Sequence, residues 1–138
     1  MISFVLDNSI AMRWCFENTS NRYAEAVLQQ LASGGEAAAP VLWLYEVSSV
    51  LARAQKNGAE FLQDLKSLKI RIDQDGIDHI LTGVPRLAVT HRLTGYDAAY
   101  PELAIRKGLP LATLDQDLIR ACKESSTAVY EPDALTAS

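Results

Sequence analysis

Short apolar runs alternate with longer amphipathic stretches along the whole chain, and few folds accommodate that alternation. The runs are Ile2–Leu6 and residues 37–39, 70–72, 109–114 and 127–130. Each is short, apolar and bounded by polar or turn residues, which predicts a strand buried on both faces. Helix-like segments separate them, over residues 10–16, 23–31, 42–55, 60–68 and 76–90 and again after Leu93. Residues 42–55 place Trp43, Leu44, Val47, Val50, Leu51 and Ala54 on one side. Residues 76–90 do the same with Ile77, Ile80, Leu81, Val84, Leu87 and Ala88, but Pro85 should kink or divide that helix. Strands joined through helices must run parallel in one sheet, so the chain predicts an α/β three-layer sandwich with a mostly parallel central sheet and helices on both faces.

The length of 138 residues suits one domain, expected over residues 1–131, with a loose C-terminal tail over 132–138. No apolar run approaches the ~20 residues of a membrane helix, so no membrane partner is expected. The opening MISFVLDNS lacks a basic segment and reaches an acid at residue 7, unlike a signal peptide. Cys15 and Cys122 have no paired spacing and no neighbouring His, and read as free buried thiols of a cytoplasmic protein. The net charge of −4 argues against nonspecific nucleic-acid binding through a basic surface. It leaves open a nuclease that touches a few phosphates.

The chemistry concentrates in residues 93–118, LTGYDAAYPELAIRKGLPLATLDQDL. Thr94 is placed as a helix N-cap, with Asp97 three residues on, as in a capping box. At ~100° per residue, Asp97 shares a side with Pro101, Ala104 and Ile105, with Tyr100 close by, and Glu102 and Arg106 point away. An inward carboxylate needs a partner, a proton or a cation. Each acid also has an ordinary reading. Asp97 and Asp115 can be caps, Asp117 a first-turn acid, and Glu46 half of a surface pair with Arg53. The set is harder to dismiss. Asp7 ends the first strand, and Thr113 and Asp115 end the 109–114 strand, where ligands of parallel sheets lie. Glu46 borders the apolar stripe of its helix. Four carboxylates at one sheet edge repel unless cations neutralise them. Oxygen ligands without His or Cys point to Mg²⁺ or Mn²⁺. His79 and His91 read as surface residues.

These pieces resemble a PIN domain, specifically the VapC-like toxins of bacterial type II toxin–antitoxin systems. The resemblance is carried by FVLDNSIAMRW, LWLYEVSSVLARA, LTGYDAAYPELAIRKGLPLATLDQDL and the closing short strand, and covers nearly the whole chain. It implies that Asp7, Glu46, Asp97 and Asp115 form the acidic, metal-binding and catalytic quartet. Ser9 and Thr113 match hydroxyl positions near the metal, and Asp117 an accessory acid. The implied activity is Mg²⁺-dependent endoribonuclease cleavage of RNA, with Mn²⁺ as a substitute, leaving a 5′-phosphate and a 3′-hydroxyl. Glu46 is left with two roles, binding the metal or orienting the attacking water. The implied partners are RNA and a cognate antitoxin. A homodimer is expected from the surplus apolar surface of residues 60–68 and 76–90. The chain departs from the family pattern at Pro101 and Gly95, which puts the geometry of the Asp97 helix in doubt.

Two other readings compete. A haloacid-dehalogenase-like phosphotransferase also begins with an aspartate after the first strand, but it needs a second acid two residues on, where this chain has Ser9. A catalytically dead PIN-like module that only binds protein would be favoured by loss of a quartet member, and all four are present.

Overall fold

The first strand forms the interior of the sheet, and the rest of the chain winds outward from it on both sides. In the computed structural model, which describes residues 1–16 and 19–136, β1 (Ile2–Leu6) lies between β2 (Glu36–Ala39) and β4 (Leu111–Ala112), and β3 (Lys69–Ile72) lies outside β2. All three pairings are parallel, with Val5 opposite both Ala38 and Leu111 and Leu6 opposite Ala112. The helices are α1 (Asn8–Cys15), α2 (Arg22–Ala32), α3 (Val41–Ala54), α4 (Gly58–Lys66), α5 (Gly83–His91), α6 (Gly95–Lys107), α7 (Gln116–Glu124) and α8 (Asp133–Thr136). This is the parallel α/β sandwich that the alternation of runs predicts. Phe4, Val5 and Leu6 are fully buried, and α1, α2, α3, α6 and α7 contribute Ile10, Val27, Val50, Leu103 and Leu118 to the same core. Both cysteines are free thiols. No helix among the described residues is long and apolar enough to cross a membrane.

Local chemistry sets the helix ends. Asp7, Asn21, Thr94 and Asp115 each accept a first-turn amide as N-caps, satisfying donors that a helix start leaves open. Gly108, at φ +66, ends α6 in the left-handed conformation that glycine adopts without a steric cost.

Several segments differ from expectation. The 76–90 stretch is divided: Asp75–His79 is a 3₁₀ turn and α5 starts at Gly83. Pro85 then falls in the first turn of α5, where its missing amide costs no helical bond. Pro101 sits buried inside an unbroken α6. Only Leu111–Ala112 of the 109–114 run joins the ladder, and the next residue, Thr113, donates its hydroxyl to Asp7. The 127–130 segment makes a single parallel bridge, from Val129 to Leu111, and not a strand. Tyr130 stacks on Phe4 with ring centroids 4.0 Å apart, and Tyr23 donates a 2.5 Å hydrogen bond to the Tyr130 carbonyl. Beyond it Pro132 is buried and α8 packs beside α2, where the sequence suggests a tail. Residues 137 and 138 of that tail, and 17 and 18 of the polar break after α1, lie outside the described residues.

The inward face of α6 is broader than its periodicity suggests. Ile105 is exposed, whereas Glu102 is buried. The reason is α5, which lies over this face so closely that a Cβ on Gly83 would stand 3.2 Å from Glu102 Cγ. Arg106 donates to Glu102 Oε1 at 2.7 Å and to Asp73 Oδ2 at 2.5 Å, tying α6 to the end of β3. Burial pushes the Asp73 carboxyl up, but the bond and charge of Arg106 outweigh it and hold the group below its ordinary range. His91 is likewise buried and not a surface residue: α5 ends against α7, with His91 Nδ1 2.9 Å from Glu124 Oε1 and Arg120 donating to the His91 carbonyl at 2.7 Å. On α3, Trp43, Val47 and Val50 are buried but Leu44 is exposed, a narrower stripe than predicted.

Removing the cation of the Asp73–Arg106–Glu102 group strands two enclosed carboxylates. Arg106→Met should therefore lower the unfolding free energy by about 3 kcal/mol, read from urea denaturation. Parent-like stability would show that water already screens the group.

Candidate active site

Asp7 is the fixed point of the site. It leaves β1, caps α1 and is 5% exposed. Its Oδ2 receives the Ser9 hydroxyl at 2.6 Å, the Thr113 hydroxyl at 2.8 Å and the Ser9 amide at 3.3 Å. The two hydroxyls are themselves held, since Ser9 Oγ accepts the Leu114 amide and Thr113 Oγ1 the Asp115 amide, both at 3.0 Å. The ends of β1 and β4 are thus stitched together through one carboxylate oxygen, and all three bonds fall on Oδ2. Burial raises the Asp7 pKa against the pull of these hydrogen bonds, and the charge of Asp115 adds to the rise.

Asp115 caps α7, its Oδ1 accepting the Asp117 amide at 2.8 Å and the Leu118 amide at 3.1 Å. Asp97 lies in the first turn of α6, its amide 3.0 Å from Thr94 Oγ1. Its pKa is raised by burial first and then by the charges of Asp115 and Asp117. Glu46, half-buried on α3, has its pKa raised by burial and by the charges of Asp7 and Asp97. The acids of four elements therefore lie within electrostatic reach of one another at the carboxyl end of the sheet. Glu46 makes no pair with Arg53, whose guanidinium sits 5.6 Å from the centre of the Phe16 ring. Asp117 points outward and pairs with Arg120 at 2.9 Å.

Tyr100 is the component that sequence reasoning did not assign. It is buried on α6, one turn after Asp97, and its hydroxyl donates to Glu46 Oε1. The i, i+3 spacing from Asp97 was the available signal. The Asn8 carboxamide oxygen beside Asp7 is buried without a hydrogen-bond partner among the described residues.

No ion pair among the described residues involves Asp7, Glu46, Asp97 or Asp115. Nor do three such side chains stand close enough to enclose an ion as they are. The donor set is nonetheless all hard oxygen and short of positive charge, which fits a divalent cation in an open carboxylate ring better than a closed cage.

Without a cation, these acids should leave a pH signature. The folded pKa values of Asp7, Glu46 and Asp97 are raised. Their contribution to stability is complete below the unfolded carboxyl pKa of about 4 and is lost as pH rises through the folded values. Glu36, Asp73 and Glu124 have lowered values and act oppositely, losing their contribution as pH falls through those values. In chelator-treated protein, Tm should rise as pH is lowered from neutral toward the unfolded carboxyl pKa and fall again in stronger acid. Asp7→Asn should raise Tm at pH 7 and flatten the rise. Melts followed by circular dichroism check this, and a parent Tm that falls steadily from pH 7 would contradict it.

The PIN domain family matches residues 4–124. Among solved structures, that of PAE2754 from Pyrobaculum aerophilum is similar, with a TM-score of 0.64 and 22% identity over 97% of this chain and 93% of that one. At that identity the likeness speaks for the fold alone. A comparison with curated proteins finds no match. The family match spans the sheet, the carboxylates at its edge and the helices that carry them, and the chain belongs to the PIN domain family, generally a nuclease fold.

Proposed function

We propose that this chain is a Mg²⁺-dependent endoribonuclease, with Mn²⁺ able to substitute, and the toxin of a type II toxin–antitoxin pair. The observation that carries the nuclease reading is the mutual charge coupling of Asp7, Glu46, Asp97 and Asp115, with no cationic side chain among the described residues paired to any of them. A divalent ion held there would supply Lewis acidity to the attacking water and to the phosphate oxygens. Asp7, Asp97 and Asp115 would hold it, with the Asp7 oxygen that Ser9 and Thr113 leave free available to it. Ser9 and Thr113 keep the Asp7 carboxylate from rotating. Glu46 joins from α3. Attack of that water on the scissile phosphorus, in line with the 3′ oxygen, would form the new P–O bond as the bond to the 3′ oxygen breaks; one water proton ends on the 3′ oxygen, giving a 5′-phosphate and a 3′-hydroxyl. The Ser9 bond to Asp7 Oδ2 also weakens the phosphotransferase alternative, because the position that would need a second acid carries a hydroxyl.

The toxin role rests on family resemblance together with an apolar pocket of about 320 Å³, lined in part by Val41, Ile77, Ile80, Val84 and Tyr96, the residue before Asp97, and by none of the four acids themselves. A cognate antitoxin would seat an amphipathic segment there and offer a basic residue to the acids. A homodimer is proposed from the apolar side chains that α5 and the turn before it leave in solvent, Ile77, Ile80, Leu81 and Val89.

Purified protein should cut RNA with Mg²⁺ and not with chelator. Asp7→Asn, Asp97→Asn and Asp115→Asn should each reduce cleavage by more than about a hundredfold, since changes one step removed from a metal already cost 10–100-fold, and each should keep the parent circular-dichroism spectrum. Parent-rate cleavage by these variants would remove the quartet from the mechanism. Sedimentation at micromolar concentration should give a dimer, and a lone monomer would end that part of the proposal.

A further inference from the structure

Glu46 stands apart from the other acids. It arrives on a helix side chain with three rotatable bonds, whereas Asp7, Asp97 and Asp115 are short and sit at helix starts. A glutamate free to rotate would present either oxygen, or both, to a cation. The fold removes that freedom through Tyr100. The ring of Tyr100 is buried among core side chains, so the hydroxyl has a fixed position. It donates to Glu46 Oε1. One hydroxyl therefore joins two acid-bearing elements: α6, which carries Asp97, and α3, which carries Glu46.

We infer that Tyr100 is a positioning residue that commits Glu46 Oε1 and leaves Oε2 as the one oxygen Glu46 offers to the carboxylate ring. This rests on the metal-dependent reading above and goes beyond it, because it assigns the side chain that decides how Glu46 takes part. A glutamate with one oxygen held by a hydroxyl binds a cation most readily through the other, and chelation is disfavoured. Its role is then to fix the position of the ion relative to Asp7 and Asp97. Tyr100 acts through Glu46 and touches neither ion nor RNA.

The test uses Tyr100→Phe, which keeps the buried ring and deletes only the donor, together with Glu46→Gln and the double variant. Mn²⁺ affinity is measured by electron paramagnetic resonance, and cleavage is followed across a Mg²⁺ series. Tyr100→Phe should weaken Mn²⁺ binding by about tenfold, as expected for a partner that orients a metal ligand, and shift half-maximal cleavage to higher Mg²⁺ with little change in the plateau. The double variant should be no worse than Glu46→Gln alone, because the two residues form one unit. Additive losses in the double variant, or parent-like Mn²⁺ affinity in Tyr100→Phe, would overturn the inference even if Tm fell. A parent that neither binds Mn²⁺ nor cuts RNA would overturn the underlying metal-dependent reading and the role of Tyr100 with it. A parent that does both, beside an indistinguishable Tyr100→Phe, would overturn the role of Tyr100 alone.

Discussion

Like charge held at the end of a buried sheet is the constraint around which this molecule is built. A carboxylate at the carboxyl end of a central parallel strand is out of water whatever it does, and ionisation there is costly. The fold offsets part of that cost at Asp7 with two hydroxyls and an amide, all on one oxygen. It then brings three more acids into electrostatic range, and among the described residues none of them is paired to a cation. Elsewhere the chain handles buried acids differently. Asp73 and Glu102 are as enclosed, yet both are paired to Arg106. The contrast within one protein separates acids that hold the fold together from acids kept available.

The scaffold around the ring is correspondingly stiff. The hydroxyls on Asp7 are anchored by the amides of Leu114 and Asp115, so β1 and β4 cannot part without breaking the site. Arg120 spans from Asp117 to the end of α5, just before the turn that leads to Asp97. Asp7, Asp97 and Asp115 are therefore positioned by segments that are themselves tied to another acid's element. Such a support shell is what allows repelling groups to be held together, since a looser site would relax by turning its side chains to water.

Much of this was legible in the sequence. The period of the apolar runs gave the sheet and its parallel sense, and the strand ends located Asp7 and Asp115. Thr94 and Asp97 were readable as a helix start from their spacing alone. What stayed hidden depended on how helices pack on one another. Glu102 and His91 look like surface residues on their own helices, and only the close passage of α5 over α6 and of α5 against α7 buries them. Leu44 and Ile105 fail in the opposite sense, because periodicity marks an apolar stripe but not how much of it a neighbour covers. Tyr100 was near the predicted inward side of α6, but its bond to Glu46 joins residues 54 positions apart. The 127–130 run failed as a strand because Tyr130 packs on Phe4 after a single bridge.

The central claim is that the carboxylate ring is stabilised by a divalent cation, and thermal melting against Mg²⁺ concentration at neutral pH tests it most directly. A ligand that binds only the folded state raises stability by RT ln(1 + [L]/Kd). The parent should gain Tm continuously as Mg²⁺ passes its dissociation constant, and Asp7→Asn and Asp97→Asn should gain little at the same ionic strength. A parent Tm that does not respond to Mg²⁺, or responds no more than those variants do, would contradict the account.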